Sequence, residues 1–92
     1  MEKRLISIVV PAYNEEEALP LFYGQLKEVL TALPDDHEII FVNDGSEDKT
    51  AEILEIIAAE DSAVHPIHFS RNFGHQAALC AGLEHSKGDY TI

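Results

Sequence analysis

Four residues, Ile39-Ile40-Phe41-Val42, form an unbroken apolar run that is β-branched and aromatic. Such a run is long enough for a strand buried on both faces and too short for a helix. Asn43-Asp44-Gly45-Ser46 cuts it, and a helix-like pattern follows from Thr50 to Ile57. Gly45 breaks the strand, and Ser46 is placed to cap the helix. A carboxylate between a parallel strand and its helix stands where open α/β sheets bind ligands. Asp44-Gly45 is equally the composition of a plain turn.

The same alternation fills the chain. Leu5 to Val10 reads as a first buried strand that Pro11 ends, because proline cannot donate to a ladder. Ala12-Tyr13-Asn14 is a loop, with Asn14 a candidate cap and Glu15 to Glu17 suited to the positive end of a helix. A first turn near Glu15 leads into a helix that carries Pro20 in its opening turn. Phe22, Leu26, Val29, Leu30 and Leu33 fall on one face of it. The second strand spans Glu38 to Val42. Ile53, Leu54 and Ile57 make the stripe of the second helix, widened by Ile56. Val64 to Phe69 is a third strand, and Pro66 marks it as an edge. A third helix runs from His75 to His85, with Gly88 as a C-terminal cap. Asp89 to Ile92 begins a fourth strand. This is an α/β chain with a Rossmann-like parallel sheet of three to four strands, in the order 3-2-1-4. The loops at 11–15 and 43–46 then lie side by side on one rim.

Ninety-two residues make one small domain, 1–92. The net charge of −11 argues against a nucleic-acid partner and against docking on anionic lipid by charge. Cys80 is the single cysteine, so no internal disulfide forms; it lies in the apolar run 77–83 and reads as core. The first apolar run, Leu5 to Val10, is too short for a signal or a membrane span and is stopped by Pro11, which gives a cytoplasmic location by default.

The rim gathers Tyr13, Asn14, Glu15, Asn43 and Asp44. An aromatic face beside carboxylates and amides can grip a heteroaromatic base and a ribose. No Gly-x-Gly-x-x-Gly follows the first strand, and no Walker lysine pattern is present. A phosphate would need a metal or a basic group; Arg71 is the nearest cation, or else a partner in a surface ion pair. His65 and His68 fall on opposite strand faces and form no zinc-like array.

Three stretches carry a resemblance: Val9-Val10-Pro11-Ala12-Tyr13-Asn14-Glu15-Glu16, Phe41 to Thr50 with Asn43-Asp44-Gly45-Ser46 at its centre, and Arg71-Asn72-Phe73-Gly74-His75-Gln76-Ala77-Ala78-Leu79. At these spacings the chain resembles the family-2 glycosyltransferases of the GT-A fold. It is most similar to the branch that loads sugars onto polyprenyl phosphates, as bactoprenol glucosyltransferases and dolichyl-phosphate mannose synthases do. The resemblance implies a nucleotide-sugar pocket lined by Pro11, Ala12, Tyr13 and Glu15, with Asp44 hydrogen-bonded to the base edge and Asn43 beside it. It implies Mg²⁺ or Mn²⁺ held on an Asp-x-Asp motif that would follow Ile92. The expectation is the nucleotide-binding N-terminal half of an inverting hexosyltransferase, inactive alone, prone to self-association, its intact form at the cytoplasmic face of a membrane. The rival reading is a self-contained, non-enzymatic nucleotide-binding or interaction module.

Overall fold

A computed structural model describes residues 5–88, the side chain of His75 excepted, and the backbone of 90–91. Strands β1 (Leu5–Ala12), β2 (Asp36–Asn43), β3 (Val64–His68) and β4 (Tyr90–Thr91) alternate with helices α1 (Leu19–Thr31), α2 (Thr50–Glu60) and α3 (His75–His85). The four strands form one parallel sheet in the order β3-β2-β1-β4, the expected order. Pro66 lies on the edge strand β3, as a residue without an N–H should.

The apolar run of β2 is sealed on both faces. Ile39 and Phe41 pack with Ile8, Leu19, Leu30, Leu54 and Ile57 under α1 and α2. Ile40 and Val42 pack with Ala78, Val9 and Ala81 under α3. Period two sends alternate residues to opposite layers, so one continuous run serves both cores.

Several local expectations are corrected. β1 does not stop at Pro11; it continues to Ala12, with Pro11 opposite Val42. The carbonyl of Ala12 accepts from the N–H of Asp44, just past β2, so the nitrogen of Pro11 faces the other flank. There β4 pairs only with Ile6 and Ser7, and the missing N–H costs no ladder bond to the described part of β4. Helix α1 does carry Pro20 in its first turn, after a turn closed by Leu19 N–H on Glu15 O (2.8 Å). Its core-facing stripe, however, is Leu19 and Leu30, buried, with Tyr23 and Leu26, partly buried; Phe22 and Val29 lie one step around the helix and stay exposed, and Leu33, past its end, is exposed too. Ile56 likewise faces water. Cys80 is exposed, because α3 turns its small residues Ala78 and Gly82 to the sheet. Gly88 caps nothing; Ser86 holds the C-cap position of α3.

Gly88 has another use. Its N–H donates to Ser7 Oγ (2.8 Å), and Lys87 N–H donates to Glu38 Oε2 (2.8 Å). Ser7 Oγ donates to the same Glu38 oxygen. The chain leaving α3 is thereby pinned across β1 and β2, which fixes where β4 begins.

Candidate functional site

The loops after β1 and β2 are bolted together at the carboxyl ends of their strands. Asn14 takes a left-handed backbone (φ 52°), which its short polar side chain tolerates. Its N–H donates to Ser46 Oγ (3.0 Å), and its Oδ1 accepts from Glu47 N–H (2.8 Å). Glu15 N–H donates to Thr50 Oγ1 (2.9 Å), and Glu16 N–H to Asp48 Oδ2 (3.2 Å). Neither expected cap is made: Ser46 Oγ serves the Asn14 N–H, Asn14 Oδ1 serves the Glu47 N–H, and Asp48 Oδ1 takes the Thr50 N–H (2.9 Å) at the start of α2. Desolvation alone would raise the Asp48 carboxyl. The hydroxyl and N–H of Thr50 and the N–H of Glu16 outweigh it and hold the group below its usual range.

Between these loops and the segment after β3 lies a cleft of about 350 Å³, lined by Pro11, Ala12, Tyr13, Glu15, Asp44, Asn72 and Gly74. Tyr13 is 43% exposed and offers a ring face. An apolar groove of about 240 Å³, lined by Val10, Ala18, Leu19 and Phe22, adjoins the cleft through their shared Pro11 and Glu15.

Five of the six expected site residues therefore meet in one place. Asn43 does not line the cleft. It is 3% exposed and its amide is spent on its neighbours. Ser46 N–H donates to Asn43 Oδ1 (3.0 Å), which turns Nδ2 toward His68 Nδ1 (3.1 Å). That ring nitrogen must accept, so His68 carries its proton on Nε2, 2.9 Å from Glu55 Oε1. Arg71 lies over the Phe73 ring (4.8 Å), and Phe73 meets Phe69 edge to face (5.5 Å). Asn72 and Gly74 were missed. The signal was available: a polar loop after a third parallel strand ends on the same rim as the first two.

The profile of glycosyl transferase family 2 matches residues 7–92. The chain belongs to this family. Among curated family relatives, the bactoprenol glucosyl transferase of Shigella phage SfV is 49% identical over 87 residues, 95% of this chain and 28% of the relative. The undecaprenyl-phosphate 4-deoxy-4-formamido-L-arabinose transferase of Pseudomonas fluorescens is 44% identical over 88 residues, 95% of this chain and 26% of the relative. The chain thus spans little more than a quarter of the relatives it matches. Of solved structures, the mannosyltransferase PcManGT of Pyrobaculum calidifontis, in complex with GDP-Man and Mn²⁺, superposes with a TM-score of 0.76 at 22% identity, over 99% of this chain and 27% of that one. Staphylococcus aureus TarS 1–349 superposes with a TM-score of 0.73 at 22% identity, over 99% of this chain and 26% of its own. The sheet is that of the GT-A glycosyltransferases.

The described residues do not fit the metal that the family implies. Glu15 and Asp44 are the carboxylates on the cleft wall, and each oxygen of Asp44 already accepts a backbone N–H. Among the described residues no group of three His, Cys, Asp or Glu side chains could hold an ion.

Proposed function

We propose that this chain is the nucleotide-binding part of a glycosyltransferase that moves a hexose from a nucleotide-diphosphate sugar to a polyprenyl phosphate. The observation that carries the reading is the bolted pair of loops. They set Tyr13, Glu15 and Asp44 around one cleft at the carboxyl ends of parallel strands, the edge where α/β sheets take their ligands. A volume of about 350 Å³ is at the small end of ligand sites and suits a nucleoside. Tyr13 supplies a stacking face, and Glu15 an acceptor for ribose hydroxyls. The acceptor class rests on the named specificities of relatives that are 44–49% identical to this chain over the 87–88 residues they share with it. No described helix is long and apolar enough to cross a membrane. Contact with a polyprenyl phosphate, at the cytoplasmic face, falls to the rest of the protein.

Calorimetric titration with uridine and guanosine diphosphates, with and without Mn²⁺, tests the nucleotide half. One of them binds, and Tyr13→Ala weakens it by about 1 kcal/mol through the lost stacking. Indifference of the wild-type chain to both nucleotides, or equal binding by the variant, refutes the reading. Sugar transfer to undecaprenyl phosphate by the intact protein tests the acceptor half.

A further inference from the structure

Asn43 stands behind the cleft and joins its loops to the edge strand. It is the last residue of β2, paired with Ala12 on β1 and His68 on β3. The backbone there is tied on both flanks: Asp44 N–H donates to Ala12 O (2.9 Å), and Phe69 N–H to Asn43 O (2.9 Å). Only the buried amide is left to turn, and Ser46 fixes which way it points. The Ser46 N–H needs an acceptor, so Oδ1 faces Ser46 and Nδ2 faces His68 Nδ1. Ser46 Oγ in turn holds the Asn14 N–H, and Asn14 Oδ1 the Glu47 N–H. Tyr13 and Asp44, both on the cleft wall, are the sequence neighbours of Asn14 and Asn43.

We infer that Asn43 and His68 are positioning residues: the cleft holds its shape for a nucleotide only while His68 Nδ1 is bare, so one proton on the edge strand weakens binding at the rim. This rests on the nucleotide reading of the cleft. A proton on Nδ1 sets two donors against each other at 3.1 Å. Turning the Asn43 amide over relieves that contact but sets its NH₂ against the Ser46 N–H, in a site that is 3% exposed and closed to water. The conflict therefore passes to Ser46 and to the bolt it makes with Asn14. The proton has a way in, because the His68 side chain is 31% exposed. Two elements pack against the ring. Helix α2 sets the Glu55 carboxylate 2.9 Å from Nε2, and β2 sets the uncharged Asn43 amide against Nδ1. Glu55 welcomes a charged ring, and Asn43 excludes one.

The test titrates whichever of uridine or guanosine diphosphate binds, at about pH 7.5 and about pH 5.5, on either side of an ordinary histidine. It uses the wild-type chain and His68→Asn, whose amide oxygen can stand where Nδ1 stood and takes no proton. On acidification the wild-type affinity falls roughly tenfold further than that of the variant, the scale of one buried hydrogen bond lost. Protonation of the nucleotide and of the other histidines is common to both chains and cancels. An equal fall in both overturns the inference. NMR of the wild-type chain gives an independent reading without a variant. The amide protons of Asn14, Ser46 and Glu47 shift with the same midpoint as the His68 ring. By linkage, saturating nucleotide makes that ring harder to protonate, whereas the charge of the diphosphate alone would make it easier. Amides that do not follow the ring, or a ring that protonates more readily in the complex, overturn the inference. If no nucleotide binds while the amides still follow His68, the nucleotide reading falls and the joint between His68, Asn43 and the loops stands.

Discussion

Single residues in this chain are held by partners far away in sequence, and acid reveals which. His37 sits against Lys27 Nζ (2.9 Å); burial first, and the ammonium next, push its ring below the usual histidine value of 6.5. Burial would raise Glu38, but the Ser7 hydroxyl and the Lys87 N–H bring it below 4.5. Burial would raise Asp61 too; Lys27 (2.7 Å) and the Tyr23 hydroxyl (2.6 Å) overcome it and bring the carboxyl down from 3.8 to about 2. All three groups resist a proton more in the folded chain than in the unfolded one. Their contribution is whole above the unfolded value and is lost as pH falls through the folded value. The urea midpoint should therefore drop in two stages on acidification, first below 6.5 and again below 4.5. His37→Asn should flatten the first stage and spare the second; an unchanged first stage would assign it to another group. None of these partnerships was legible. Ser7 reads as an ordinary polar step in a strand, and Glu38 as the edge of an apolar run, until 31 residues of chain bring them together.

Elements were legible because the two periodicities differ: runs that fit a buried strand alternate with stripes that fit a helix. Order and type came through, including Pro20 in the opening turn of α1 and Pro66 on the edge. Helix faces did not. The run Ala77 to Leu83 is apolar almost all round, so period alone cannot say that Ala78 and Gly82 turn inward while Cys80 and Leu83 face water. What decides is closeness. A Cβ on Gly82 would collide with the Val9 side chain, which is stiff because it branches at Cβ. Gly82→Ala gains about 1 kcal/mol in helix propensity. It costs up to about 3 kcal/mol in overpacking. The net expectation is a loss of about 1–2 kcal/mol in urea unfolding, partly recovered in Val9→Ala/Gly82→Ala. A more stable single variant would show that α3 can retreat from the sheet.

At the scale of the whole molecule, the sheet order followed from the alternation and the edge proline, while the segment after β3 that walls the cleft did not. Its tie to the loop after β2, backbone N–H groups donating to the oxygens of Asp44, leaves no compositional mark. Apolar surface is the other large feature. Leu21 (67%) and Val29 (61%) on α1 and Ile56 (60%) on α2 stand open, as do Phe22 on α1 and Leu33 just after it. Exposed patches and open strand edges recruit other chains. Light scattering at high concentration should find dimers or larger species, and Val29→Lys should shift them toward monomer; a monodisperse wild-type monomer would contradict this. One thread runs across all these layers, from Glu55 on α2 through His68 and Asn43 to Ser46 and Asn14. Exchanging the Asn43 amide for an acid would remove the N–H from which His68 Nδ1 now accepts; to donate there instead, the imidazole would have to swap tautomers and turn a bare Nε2 toward Glu55. A one-atom edit on β2 would thus be felt as a broken contact on α2.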